Sequence, residues 1–376
     1  MKNVAIFGST GSIGTNTLKV IKNLKDYRVI ALLCGDNISL LSKQADEFHP
    51  EFVGSLFERN REELQRRFKN KFKVIVGEEA SFLYEKEDVD IIVIATAGVS
   101  SYSSLIKGLK RKKRICTANK ETLVAFSSLL KVELKNLPGE LVPIDSEHSA
   151  IYQVLSTSDK NNLRKVIITA SGGPFYNKKN LDRITPQDAL RHPTWKMGRK
   201  VTIDSATLMN KGFEIIEASV LFCLEPEEIE VIIHPESIIH GMVEFKDGSI
   251  IAQLSVPDMK IPIQFALTSP LRREAFFKRL DFRNIKSLTF KKLDEKRFPL
   301  IPLSYRVLEE GGTLPAVLVG ADEVAVERFL RKEIPFKKIT EIILKVTESH
   351  QNNRNPKEEE IIEAFKWAQE EARRIK

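Results

Sequence analysis

N-V-A-I-F-G-S-T-G-S-I-G, residues 3–14, decides the architecture of the N-terminal part of the chain. Residues 3–7 read as a short apolar strand, glycines follow at 8, 11 and 14, and a helical pattern continues through Leu18, Ile21 and Leu24. Strand, glycine turn and helix in that order make a phosphate cradle. The glycines let the backbone come close, and the N–H groups of the helix N-terminus meet the anion. The spacing departs from the common G-x-G-x-x-G, and a tight strand–helix turn without a ligand would look the same locally. Gly8, Ser9, Thr10, Gly11, Ser12, Ile13 and Gly14 are therefore candidate cofactor-binding residues whose weight depends on what surrounds them.

Outward from this loop, further apolar runs alternate with helical patterns. They are Y-R-V-I-A-L-L-C-G ending at Gly35, K-V-I-V-G, V-D-I-I-V-I-A-T-A-G at 89–98, and R-I-C-T-A-N-K-E at 114–121. Strands apolar on both faces and separated by helices predict a parallel sheet covered on each side. The fold class is α/β, with a Rossmann-like domain over 1–144. Beyond it the alternation breaks down, and 145–269 reads as an α+β catalytic domain with a hairpin turned at Asp247-Gly248. Here D-S-E-H at 145–148 is read as extended, Asp204 as lying on a strand before Ser205, and I-K-S-L-T-F at 285–290 as a strand. Residues 270–299 read as a charged linker and 300–376 as a C-terminal helical bundle with apolar stripes.

Composition bounds the function. The 376 residues are 42% hydrophobic and 29% charged, as in a soluble globular protein. There is no apolar run of membrane-spanning length and no secretory signal pattern, so a cytoplasmic location with no membrane partner is expected. Cys34, Cys116 and Cys223 form neither a zinc pattern nor a disulfide framework. The net charge of +8 comes without any nucleic-acid-binding signature. Attraction for anionic small molecules accounts for it, and no nucleic-acid partner is expected.

The end of the second strand selects the cofactor in such sheets. Here it reads Gly35, Asp36, Asn37. An acidic residue there binds ribose hydroxyls, whereas its small neighbours admit a 2'-phosphate, so the residues alone leave NAD and NADP open. Ala97, within A-T-A-G, and Asn119, Lys120 and Glu121, within T-A-N-K-E, lie at the carboxyl ends of strands, where ligands gather.

Asp145 and Glu147 stand two residues apart and repel unless a proton or cation lies between them. Asn210, Lys211 and Glu214 share one helix face at i, i+3 and i+4 spacing. Three carboxylates without a histidine or cysteine cluster make a hard-oxygen site suited to magnesium or manganese. A glycosidase-type acid/base pair would also use two carboxylates, held about 5 Å or more apart. Ser171 with Gly172 and Gly173, together with Ser205, Asn210 and Lys211, offers donors for a phosphate. His192, Trp195 and Met197 lie in a polar loop read as a lid, and either His234 or His240 could face the substrate.

Six motifs occur in order: G-S-T-G-S-I-G, A-N-K-E at 118–121, D-S-E-H at 145–148, S-G-G-P-F at 171–175, H-P-T-W-K-M-G at 192–198 and D-S-A-T-L-M-N-K-G-F-E at 204–214. Together they resemble the 1-deoxy-D-xylulose-5-phosphate reductoisomerase family over essentially the whole chain. The resemblance implies a homodimeric enzyme of the non-mevalonate isoprenoid pathway. Such an enzyme converts 1-deoxy-D-xylulose 5-phosphate to 2-C-methyl-D-erythritol 4-phosphate by rearrangement and reduction, with NADPH and Mg²⁺, Mn²⁺ or Co²⁺. It also implies roles: Asp145, Glu147 and Glu214 as metal ligands, and Ser171, Ser205, Asn210 and Lys211 at the phosphate. Ser146 and Lys120 would meet the substrate oxygens, His192, Trp195 and Met197 would form the lid, and His240 would lie on the substrate side. Gly198 joins the cofactor-binding set. Family members often carry a basic residue where this chain has Asp36, and Arg59 or another cation is expected to compensate. The alternative is a simple NAD(P)-dependent dehydrogenase of another sugar phosphate or semialdehyde.

Overall fold

A computed structural model of the chain describes every residue except Lys179 and Lys196. Its contacts divide it into two interleaved units. The first comprises 1–119, 136–149 and 258–279, and the second comprises 120–135, 150–257 and 280–376.

The first unit is built on seven strands: β1 (Lys2–Phe7), β2 (Tyr27–Cys34), β3 (Phe52–Ser55), β4 (Lys73–Val76), β5 (Ile91–Ile94), β6 (Arg114–Thr117) and β7 (Glu140–Pro143). All neighbours pair in parallel, in the order β4-β3-β2-β1-β5-β6-β7. The strand order therefore reverses beside β1, and the crevice at the carboxyl ends of β1 and β5 is the topological switch point. The expected parallel sheet is present, and its central strands are buried on both faces: Val4, Ala5, Ile6 and Ile92–Ile94 are almost fully inaccessible. The late helix Lys260–Thr268 belongs to this unit and packs on the helix Ser12–Ile21. Tyr27 Oη donates to the Leu267 carbonyl (3.0 Å), and Cys116 Sγ donates to that of Ala266 (3.3 Å).

The second unit holds a four-stranded sheet of β8 (Leu163–Ala170), β9 (Ile229–Ile233), β10 (Ile239–Phe245) and β11 (Ile250–Leu254), in the order β11-β10-β8-β9. β8 and β9 run parallel and the other pairs are antiparallel, which gives the mixed sheet expected, with β10 and β11 joined through Asp247-Gly248. The last four helices, Leu300–Glu310, Leu314–Leu330, Phe336–Ser349 and Glu358–Arg374, fall where their apolar stripes place them. Pro315 in the first turn of the second and Pro335 just ahead of the third suit positions where a missing N–H costs nothing.

Three local readings are corrected. Asp145 and Glu147 do not share a strand face, because β7 ends at Pro143 and the helix Ser146–Leu155 follows at once. Asp145 caps that start, with its carbonyl accepting from Ser149 N and Oδ1 accepting from Glu147 N at 3.4 Å. Two carboxylates at a helix N-terminus lie where the helix dipole favours negative charge. Asp204 and Ser205 belong to the helix Arg199–Thr207 and not to a strand. Residues 285–290 form no strand, and only Lys291 bridges to Ile233. Thr289 explains this: its N–H and hydroxyl are taken by Glu236 and its carbonyl by His234, so side chains satisfy what a neighbouring strand would have.

Candidate functional site

The glycine loop leaves β1 at the switch point, and its geometry admits no side chain at two positions. Gly8 has φ +89°, and a Cβ there would meet the Ala95 carbonyl oxygen at 2.4 Å. A Cβ on Gly14 would meet the Gly8 oxygen at 2.3 Å and Ser9 Cα at 2.5 Å. Gln44 locks the loop from below, its amide donating to the Ser9 carbonyl and accepting from Ser9 Oγ, both at 2.9 Å. Sequence reasoning missed Gln44; a polar residue on the buried side of its helix was the available signal. Gly11 begins the helix Ser12–Ile21, which no side chain among the described residues caps. Such a terminus is open to an anion.

At the end of β2, Asn37 caps the next helix by accepting from Leu40 N (3.0 Å). Asp36 is exposed and is held by Arg59 through a fork, Nη2 to Oδ2 at 2.7 Å and Nε to Oδ1 at 3.0 Å. The Arg59 hydrogen bonds hold the Asp36 carboxyl below its usual range. Arg59 also lies over the Phe57 ring, 4.1 Å from its centroid. Asp36 is thus paired with Arg59, one of the cations the sequence left open. Across the switch point Asn119 donates to the Gly98 carbonyl at 2.9 Å, fixing the loops that carry Ala97 and Asn119.

Within the same unit, an oxygen of Asp145 and one of Glu147 lie within 4.8 Å of each other. Ser146 Oγ donates to Glu147 Oε2 at 2.5 Å.

In the second unit, Lys120 is buried, not solvated. Its Nζ donates to Asn210 Oδ1 at 2.7 Å and lies 3.4 Å from Glu214 Oε1. Asn210 Nδ2 donates to the same Glu214 oxygen at 2.5 Å, and Lys211 pairs with the other. Lys211 also donates to the Thr169 carbonyl at 2.6 Å. Glu214, fully buried, is thus paired with two ammonium groups, without which a carboxylate there would be costly. Leu208 lies immediately before the helix that carries Asn210, Lys211 and Glu214. Its φ of +61° sets a sharp joint between the helices Arg199–Thr207 and Met209–Phe222. A non-glycine residue in that region is strained and marks a position fixed by its surroundings.

Ser171, Gly172 and Gly173 form a loop after β8 with φ +85° and +68° at the glycines. A Cβ on Gly173 would meet the Ser205 carbonyl oxygen at 2.4 Å, so the loop lies directly on the Ser205 helix. His192 Nδ1 accepts from Thr194 N (3.1 Å) and Trp195 N (2.8 Å), which places the proton of a neutral ring on Nε2. Nε2 then donates to Ser171 Oγ at 3.2 Å, and Gly173 N donates to the same oxygen at 3.2 Å. With its oxygen accepting twice, the Ser171 hydroxyl proton is left for an external acceptor such as a phosphate oxygen. Trp195 meets the His240 ring edge to face at 5.8 Å, beside half-buried Met197 and exposed Gly198. His234 is structural: fully buried, it donates to the Thr289 carbonyl (2.9 Å) and accepts from Ile238 N and Ile239 N.

A glycine loop at the switch point of a parallel sheet, with a lysine-braced carboxylate site, defines an α/β oxidoreductase of the dinucleotide-binding type. Sequence profiles of 1-deoxy-D-xylulose 5-phosphate reductoisomerase match residues 4–127, and those of the family's C-terminal domains match 141–222 and 254–371. The chain belongs to the 1-deoxy-D-xylulose 5-phosphate reductoisomerase family. The enzyme of that name from Thermoanaerobacter pseudethanolicus is 45% identical, over 98% of each chain. That from Thermodesulfovibrio yellowstonii is 43% identical, over 100% of this chain and 99% of its own. A crystal structure of DOX-P reductoisomerase in complex with NADPH, fosmidomycin and magnesium superposes with a TM-score of 0.93 at 34% identity, covering 99% and 98% of the two chains. The Zymomonas mobilis enzyme in complex with NADPH gives 0.90 at 34% identity, covering 99% and 97%.

Proposed function

We propose that this chain converts 1-deoxy-D-xylulose 5-phosphate to 2-C-methyl-D-erythritol 4-phosphate with NADPH and a divalent cation, working in the cytoplasm as a homodimer. The observation that carries the proposal is the bracing of Glu214 by Lys120, Asn210 and Lys211 in a chain that matches this family along its length. Asp145, Glu147 and Glu214 are the proposed metal ligands. As an all-carboxylate set they suit a hard cation such as Mg²⁺, with Mn²⁺ or Co²⁺ as substitutes. The cradle into which Gly8 and Gly14 admit no Cβ suits the pyrophosphate of NADPH.

When bound, the cation supplies Lewis acidity at neighbouring substrate oxygens and NADPH supplies the hydride. The chain's own groups do the rest. Lys120 pairs with Glu214 and, with Ser146, orients the substrate oxygens. Ser171 donates a hydrogen bond to the phosphate, joined by Ser205 and Asn210. Lys211, which pairs with Thr169 and Glu214, acts at the phosphate through its charge. Trp195, with His192, Met197 and His240, covers the substrate and excludes water.

The test is the loss of reduced-nicotinamide absorbance on mixing protein, 1-deoxy-D-xylulose 5-phosphate and NADPH. Consumption that requires Mg²⁺ or Mn²⁺ and yields the branched alditol phosphate is expected. Consumption that ignores metal, or of another sugar phosphate alone, would return the chain to the simple dehydrogenases.

Arg59 makes the cofactor choice testable. Its Nη1 makes no hydrogen bond among the described residues and is the donor we assign to a 2'-phosphate, while the rest of the fork cancels Asp36. Arg59→Ala should lower the NADPH-over-NADH ratio of kcat/KM by roughly ten- to a hundredfold, the worth of one charge-assisted hydrogen bond plus an uncancelled carboxylate. An unchanged ratio would assign the selectivity elsewhere.

A further inference from the structure

Helix Arg199–Thr207 carries Ser205 and begins directly after Gly198, next to the lid residue Met197. It also carries Lys200 and Asp204, which take no part in the proposed reaction. Lys200 Nζ lies 2.6 Å from Asp322 Oδ2, 2.8 Å from Asp204 Oδ2 and 3.7 Å from Glu121 Oε1, and 4.8 Å from the Phe213 ring centroid. Asp204 and Asp322 are 1% and 0% exposed. Glu323, from the same helix as Asp322, adds a further acid and accepts from Gln369 Nε2 at 2.9 Å. These five are the charged groups facing the cluster, drawn from the helices Lys120–Ala125, Arg199–Thr207 and Leu314–Leu330.

One ammonium cannot balance this many buried carboxylates. Asp204 Oδ1 and Asp322 Oδ1 accept no hydrogen bond among the described residues. Burial pushes Asp204 up to about 8, with Asp322 adding repulsion and Lys200 opposing. Burial raises Asp322 as well. Burial disfavours charge on Lys200, but Asp204, Asp322 and Glu121 outweigh it and keep the ammonium. The cluster therefore folds with a proton on the Asp204–Asp322 pair.

The three helices it joins are those that present Lys120, Ser205 and the core of the C-terminal bundle. We propose that Lys200, Asp204 and Asp322 form a positioning cluster that fixes the Ser205 helix and the adjoining lid end for the substrate's phosphate. This rests on the phosphate assignment given above and deepens it.

The experiment compares wild type with Lys200→Met, Lys200→Arg and Asp322→Asn in steady-state kinetics and in melting temperature against pH without substrate. Lys200→Met is expected to raise KM for 1-deoxy-D-xylulose 5-phosphate by about tenfold while KM for NADPH moves less than about twofold, and Lys200→Arg to restore most of the loss. The pair keeps its proton in the native state and loses it on unfolding. Native stability from this source therefore falls as pH rises from the ordinary aspartate range through about 8. Asp322→Asn, which leaves Asp204 alone with Lys200, should flatten that decline. Equal changes in the two KM values, or none, would overturn the proposal, as would an unaltered pH slope in Asp322→Asn. If Lys200→Met does not fold, Asp322→Asn takes its place in the KM comparison: a rise confined to the sugar phosphate supports the cluster, and equal or absent changes overturn it. Wild type that leaves the substrate untouched would sink the functional reading instead, and the melting profiles would still judge the cluster.

Discussion

Glu147→Gln leaves the fold and NADPH binding intact and lowers metal-dependent kcat/KM by roughly three orders of magnitude. The change keeps the side chain's shape and removes one negative charge from the Asp145–Glu147 pair, whose oxygens lie within 4.8 Å of each other. An amide is a poorer ligand for a hard cation, and its nitrogen offers Ser146 a donor where that hydroxyl now finds an acceptor at 2.5 Å. A catalytic cation is worth several kcal/mol of charge stabilisation, and each 1.36 kcal/mol is about a factor of ten in rate. Excess Mn²⁺ should recover part of the loss, because affinity for the ion has fallen as well as its use. The check is the rate against metal concentration beside an NADPH titration by fluorescence. Activity within about tenfold of wild type at ordinary metal concentration would remove Glu147 from the ligand set.

Gly14→Ala strikes the other half of the reaction. The added methyl would lie 2.3 Å from the Gly8 oxygen and 2.5 Å from Ser9 Cα, both backbone atoms. No side chain can turn aside to make room, so the loop must move off the helix by a distance comparable with the overlap. Overpacking of this kind costs about 1–3 kcal/mol. The displaced loop is also the one whose N–H groups are to meet the pyrophosphate. NADPH affinity should fall by about two orders of magnitude, roughly 2.7 kcal/mol. Rearrangement without reduction would be much less affected. A Kd for NADPH equal to that of wild type would show that the cofactor does not rest on this loop.

Much of the first unit was legible because its signals are local. A buried parallel strand has to be apolar on both faces, and the glycine loop carries the same three residues whatever lies around it. Beyond the parallel strands the reading was harder. Asp145 and Glu147 were found as a pair, but the extended reading of D-S-E-H ignored the stop imposed by Pro143 and the helix-starting chemistry of Asp145 and Ser146. The joint at Leu208 has no sequence signal, since leucine is nearly the last residue expected at positive φ; tertiary packing sets it. Lys200 gave a weak hint, four residues ahead of Asp204. Asp322 gave a better one, standing alone within the otherwise apolar A-V-L-V-G-A-D run at 316–322. An acid there needs a buried partner, but nothing in the sequence says that the partner lies some 120 residues earlier.

The helix Lys260–Thr268 closes the first unit across a long stretch of chain. Tyr27 reaches Leu267 over 240 residues of intervening sequence. Protein synthesis is directional, and N-terminal domains ordinarily fold as they leave the ribosome. Here the seven-stranded sheet is complete once β7 has emerged, yet its covering helix and the partners of Tyr27 and Cys116 are still to be translated. The nascent sheet must wait, with apolar surface uncovered, while residues 150–257 of the second unit are made. Contacts of such long sequence separation slow folding and prolong that exposure. The order of translation thus leaves the oldest part of the chain unsealed until residue 268 has emerged, and ties the cofactor-binding half to prior synthesis of the second unit's mixed sheet.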